Sequence, residues 1–115
     1  PKAEDSTLEG LDSPLEFYPD TFYDFKVIGA GTDNEDPENG DIKWVPVYWS
    51  TSANPNSNRI RSTWKIGSKE GIDQEGTFNL YVFFRKYTCK DSKWQSTDKI
   101  QSVQYKFQSA PLSEK

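Results

Sequence analysis

Gly76-Thr77-Phe78-Asn79-Leu80-Tyr81-Val82-Phe83-Phe84 is the stretch that decides the architecture. Successive side chains of an extended chain point to opposite faces, which puts Phe78, Leu80, Val82 and Phe84 on one side and Thr77, Asn79, Tyr81 and Phe83 on the other. One face is wholly apolar, so the run predicts the buried return strand of an antiparallel sandwich. Other short extended runs flank it, separated by turn chemistry: Leu15 to Tyr18, Phe22 to Ala30, Ile42 to Ser50, Ile60 to Ile66 and Lys99 to Phe107. Tyr23, Phe25 and Val27 share a face in the second of these. A regular period in the third places Trp44 and Tyr48 on one side and Val45, Val47 and Trp49 on the other. Pro46 cannot donate to a ladder, which predicts an edge or a bulge there. Ile60, Trp64 and Ile66 are in phase, as are Val103, Tyr105 and Phe107, whereas Ile100 falls out of phase and predicts a bulge or a late strand start. No apolar repeat of 3.6 residues persists over about ten positions, and one turn at Ser68 to Asp73 is the most helix expected. The expected fold class is all-β, an antiparallel β-sandwich of about seven strands.

Composition agrees with a single domain. The chain has 115 residues, enough for one core. Aromatics make up 15% of it, with four Trp, six Tyr and seven Phe, while Met and His are absent. Rings must therefore dominate the interior, each able to bury about 150 to 250 Å². Eighteen acidic and fourteen basic residues give a net charge of −4 with no basic block, which argues against nucleic acid as a partner. The absence of His removes the commonest general base and zinc ligand, and with it most of the case for an enzyme. Cys89 is the only cysteine, which excludes an internal disulfide, and it reads as a tolerated residue of a polar loop. No apolar stretch reaches the ~20 residues that span a bilayer, so membrane insertion is not expected. Residues 1 to 14 read as a linker or disordered segment, 15 to 110 as the β domain and 111 to 115 as a second linker end. On that reading the chain is one bead of a longer modular protein.

Gly76-Thr77-Phe78-Asn79-Leu80 is similar to the start of strand F in immunoglobulin-like domains, where a tyrosine forms a corner hydrogen bond. Phe78 takes that position without a hydroxyl. Leu80 stands where the family has its second cysteine, and Trp44 resembles the strand C tryptophan that packs on the disulfide. With no bridge, packing alone must hold the layers. The stretches YDFKVIGAG (Tyr23 to Gly31), WVPVYWSTSANP (Trp44 to Pro55), WKIGSKEGI (Trp64 to Ile72) and KWQSTDKIQSVQYKF (Lys93 to Phe107) resemble modules of large surface or secreted proteins of gut clostridia. That resemblance implies an extracellular, bacterial, immunoglobulin-like module, found near carbohydrate-active or adhesive domains, and it names no ligand.

Two constellations carry chemistry. Between Asp33 and Asp41 five carboxylates crowd nine residues. Hard oxygens suit calcium, so Asp33, Asp36 and Asp41 are the candidate metal ligands, although the spacing around Gly40 fails the EF-hand pattern and a solvated loop with an Asn39-Gly40 turn is the alternative. The second is aromatic. Sugar rings stack on flat indoles and phenols while nearby polar groups bond their hydroxyls. Trp94, in the polar stretch Thr88 to Asp98, is the leading candidate for ligand binding, joined by Trp49, Tyr48 and Tyr87, with the amide-rich segment Ser50 to Arg59 as a rim. Each has a core-packing alternative. Paired acids such as Asp33 with Asp41, or Asp73 with Glu75, could in principle act as acid and base, but surface acids this close in sequence are expected to be solvated. The expected partner is a polysaccharide or glycan, or alternatively a protein gripped by an adhesive or spacer domain, besides other domains of the same chain.

Overall fold

The computed structural model describes residues 1–11, 14–17, 21–67 and 75–111. Eight strands account for most of them: β1 (Thr7–Glu9), β2 (Leu15–Phe17), β3 (Phe22–Asp24), β4 (Lys26–Ile28), β5 (Ile42–Ser50), β6 (Lys65–Gly67), β7 (Gly76–Lys90) and β8 (Lys93–Pro111). The only helical pieces among the described residues are single 3-10 turns at Ala3–Asp5 and Ser57–Arg59. The all-β expectation therefore holds.

The principal sheet has the order β2-β8-β7-β5, and two ribbons, β1-β4 and β3-β6, form separate two-stranded sheets. Its β7–β5 and β7–β8 pairs are antiparallel, whereas β2 runs parallel to β8, so the sheet is mixed rather than wholly antiparallel as expected. Gly10 follows β1 where the chain passes close to Asp24 and Phe25. Its φ of 101° is open to glycine, and a Cβ there would sit 2.8 Å from the carbonyl oxygen of Asp24.

β7 follows the predicted alternation. Leu80, Val82 and Phe84 are fully buried. Their cross-strand neighbours point the same way: Phe107 opposite Phe78, Tyr105 opposite Leu80, and Val103 opposite Val82. Leu15 from β2, Phe25 and Ile66 from the ribbon side and Ala3 from the N-terminal segment join this face to form one apolar cluster. Phe25 sits between two indoles, edge-on to Trp49 at 5.5 Å and to Trp64 at 5.7 Å. These edge-to-face contacts join the principal sheet to the segment between the ribbon strands.

β5 departs from a regular period. Its register against β7 shifts between Pro46 and Tyr48, leaving Val47 as the extra residue of a bulge. Trp44 and Trp49 consequently both face the core, at 9% and 0% exposure, and Tyr48 turns outward with Val45. The predicted bulge is present, but the faces assigned to Tyr48 and Trp49 are exchanged, because one inserted residue reverses the parity of everything after it. Pro46 lies on an edge strand as well.

Other expectations need correction. Residues 1–11 are built into the fold rather than forming a linker: Ala3 is fully buried, Thr7–Glu9 pairs with Lys26–Ile28, and the Ser6 hydroxyl accepts a buried hydrogen bond from the Ala30 amide at 3.0 Å. The Tyr105 hydroxyl donates to the Ser6 carbonyl at 3.3 Å, and burial raises its pKa, which keeps the donor protonated. Ile60 is 37% exposed and out of the core, since the chain before Lys65 forms a 3-10 turn and an isolated bridge at Arg61 instead of a strand. β8 begins at Lys93, and the phase break at Ile100 is a bulge between Arg85 and Tyr87. Tyr18 and the predicted turn at Ser68 to Asp73 lie outside the described residues.

The β7–β8 turn consists of Asp91 and Ser92, with φ of 54° and 64°. Both are left-handed, as a type I′ turn requires, and Gly is the preferred residue at the second position. Ser92→Gly is expected to stabilise the domain by about 0.5 to 1 kcal/mol, the relief of left-handed strain exceeding the added unfolded-state entropy. Chemical denaturation of this variant checks it. In the same assay Leu80→Ala should cost about 2 to 5 kcal/mol, and Thr77→Ala, exposed on the opposite face, no more than about 0.5 kcal/mol.

Candidate functional site

One face of the principal sheet is the core; the other carries no second layer among the described residues. Its side chains follow from register. On β5 they are Lys43, Val45, Tyr48 and Ser50; on β7, Cys89, Tyr87, Arg85, Phe83, Tyr81 and Asn79; on β8, Trp94, Ser96, Ile100, Ser102, Gln104 and Lys106. None belongs to the buried apolar cluster; Ser50 and Cys89, at the two ends of the face, are buried beneath their neighbours, and the aromatic members are half-buried.

Two aromatic groups organise this outer face. Tyr48 lies opposite Phe83 across the β5–β7 pair, and their rings stack at 4.9 Å with 24° between planes. Near the hairpin end, Lys43 lies opposite Tyr87, and its Nζ sits 4.6 Å from the Trp94 ring centroid and 5.4 Å from that of Tyr87. An ammonium so close to two ring faces is attracted by both, worth about 0.5 to 1 kcal/mol at an exposed site. Between the two groups is Arg85, whose Nη1 donates to the Thr97 carbonyl at 2.9 Å. The bulge in β8 puts that carbonyl within reach, and the Thr97 hydroxyl in turn donates to the Lys86 carbonyl at 2.7 Å.

Three of the four expected ligand-binding residues, Tyr48, Tyr87 and Trp94, thus share one surface. Trp49 does not. It is completely buried, its Nε1 donates to the Thr63 carbonyl at 2.6 Å, and Phe25 abuts its ring. Neither ring face is open to a sugar, so Trp49 belongs to the core. Trp94 lies in a strand opposite Cys89 rather than in a polar loop, and Cys89 itself is only 4% exposed. Phe83, Lys43 and Arg85 were not singled out from sequence, although the alternation of Gly76 to Phe84 already placed Phe83 opposite the core.

The carboxylates of the acidic loop point to separate partners. Asp41 Oδ2 accepts from the Glu38 amide at 2.9 Å and from Asn34 Nδ2 at 3.1 Å, so that carboxylate closes its own loop. Asp33 and Asp36 are exposed, and among the described residues no three acidic, His or Cys side chains converge. Asn39 uses its Oδ1 to accept from the Asp91 amide at 2.7 Å, tying this loop to the hairpin end. Asp73 is outside the described residues. Glu75 borders a cleft of about 360 Å³ with Pro14, Thr77 and Gln108, which contains no aromatic ring.

No protein family, curated protein or solved structure matches this chain.

The two tryptophans should respond differently to truncation. Trp49→Ala removes a buried indole and orphans the Thr63 carbonyl, an expected loss of about 3 to 5 kcal/mol. Trp94→Ala removes one cross-strand pair and one cation–π contact, about 1 kcal/mol. Acrylamide quenching of the four single-Trp-deletion variants should show loss of the accessible component in Trp94→Ala and its retention in Trp49→Ala.

Proposed function

We propose that this chain is a non-catalytic, ligand-binding module of an extracellular bacterial protein, and that it binds a glycan on the outer face of its principal sheet. The observation that carries the reading is the gathering of Tyr48, Phe83, Tyr87 and Trp94 on one open sheet surface. A folded domain gains little stability from half-buried rings on a face with no covering layer, whereas a sugar's apolar C–H face gains a platform there. Amides and hydroxyls at the margin, including Gln104, Asn79 and Ser102, supply hydrogen-bonding groups of the kind that hold sugar hydroxyls.

The fold proposed with this function is an immunoglobulin-like sandwich. Its support is the order of pairing: β5, β7 and β8 sit as strands C, F and G do in that family, while β1, β4 with β3, and β6 follow the A-B-E order. Burial of Trp44 and Leu80 is consistent with it. Secretion or cell-surface display is part of the same proposal, as is the absence of catalysis.

A second reading, an adhesive or spacer domain that grips a protein, is favoured by one feature. β8 is paired on its outer side by β2 only at Ser109–Pro111, so Ile100 to Tyr105 present a strand edge to which a partner strand can add.

Affinity electrophoresis through starch, xylan, mannan and mucin tests the first reading. The wild type should be retarded by at least one of them, and Tyr48→Ala and Tyr87→Ala should abolish retardation with unchanged far-UV circular dichroism. Absence of retardation in all four together with no binding of acidic polysaccharides, or retardation that both variants preserve, overturns it.

A further inference from the structure

The outer face is aromatic, and it is also cationic in a protein whose net charge is −4. Lys43 and Arg85 both rise from it on adjacent strands. Lys43 lies opposite Tyr87 and Arg85 opposite Val45, one step along the ladder, which makes the two cations diagonal neighbours. Side chains so related are separated by about 7 to 8 Å between their Cα atoms, close enough to address one anionic group or two consecutive ones.

Neither cation is neutralised within the molecule. Among the described residues, the Lys43 ammonium lies against the two rings and the Arg85 guanidinium bonds a neutral carbonyl, and neither forms an ion pair. The nearest acid along β5, Asp41, is committed to the Glu38 amide and the Asn34 side chain. Asp98, beside the Thr97 carbonyl, is exposed and makes no hydrogen bond. Eighteen carboxylates are available in this chain, so two positive side chains left unpaired on the aromatic face are not a consequence of acid scarcity. At the registered positions of β5, β7 and β8 this face carries Lys43, Arg85 and, towards the far end, Lys106, and no carboxylate. Arg85 also keeps donors free after Nη1 is used, and a guanidinium matches planar carboxylates and sulfates with two parallel bonds.

Resting on the glycan reading above, we propose that the ligand is an acidic glycan, one carrying carboxylate or sulfate groups, with sugar rings on Tyr48, Phe83 and Trp94 and the anionic group between Lys43 and Arg85. The cation–π contacts hold the Lys43 ammonium over the rings before ligand arrives, so the positive charge and the stacking surface are presented together. Carboxylate and sulfate present the same chemistry to these two residues, and the test separates them.

Isothermal titration of the intact chain with polygalacturonate, chondroitin sulfate and heparin, and with neutral xylan and mannan, decides the matter. The acidic polymers should bind at least about tenfold more tightly than the neutral ones, and their affinity should fall as salt rises. Lys43→Met and Arg85→Met should each reduce that affinity about tenfold and flatten the salt dependence, and Lys43→Arg should restore it. Polygalacturonate alone identifies the carboxylate, and heparin and chondroitin sulfate without polygalacturonate identify the sulfate. Equal binding of neutral and acidic polymers overturns this proposal and leaves the glycan reading standing. No binding of any polymer overturns both, and binding of polyglutamate in place of every glycan assigns the cations to an acidic peptide and likewise overturns this one.

Discussion

A single inserted residue in β5 organises this fold. Trp44 and Trp49 are five positions apart, which in a regular strand would put one indole inside and the other out. The bulge at Val47 removes that conflict by adding one residue to β5 and none to β7, so both indoles reach the core while the ladder continues on either side. From Trp49 the packing passes to Phe25 and then to Trp64, linking the principal sheet to the ribbons through two edge-to-face contacts. Pro46, on the free side of the strand, withholds a donor where another chain could otherwise add, while the outward amides of Trp44 and Trp49 are taken by Ala30 and Arg61 carbonyls. The same irregularity thus fills the core and blunts an edge.

The outer face is the reverse of that arrangement. When Trp49 turns inward, Tyr48 must turn outward, where it meets Phe83. Burial of one aromatic and display of its neighbour are one geometric event, and the display surface is as firmly specified as the core. Gly29 extends the same logic to the layer contact: a Cβ there would lie 1.9 Å from the Trp44 carbonyl oxygen, so the chain beyond β4 crosses β5 at a separation only glycine permits.

Much of this was legible in the residues. The alternation of Gly76 to Phe84, the shared face of Tyr23, Phe25 and Val27, and the irregularities at Pro46 and Ile100 all reflect local rules that tertiary structure respects. What the sequence concealed was of two kinds. Proline announces that a ladder is broken but not which residue is the extra one, so the facing of Tyr48 and Trp49 could be read only from the partner strand. Polar composition misled elsewhere. Thr88 to Asp98 resembles a loop, yet β-pairing needs only backbone groups, and a strand with one wet face tolerates Lys, Asp and Ser along much of its length. The N-terminal residues misled for the same reason, since Ala3 and Ser6 are small enough to escape notice while filling space and bonding the Ala30 amide. For the site, Trp94, Tyr48 and Tyr87 were recognisable as rings near polar segments, but the pairing of Lys43 with two of them depends on which strands are neighbours.

Cys89 sits beneath this hairpin end, opposite Trp94 and almost wholly shielded, although it is two residues from the turn. A thiol in that position reacts with a reagent only while the neighbouring strands are apart. The chain therefore contains its own gauge of fraying at the tip, and the rate at which the sulfur is modified reports how often Trp94 leaves the sheet without any need to unfold the rest.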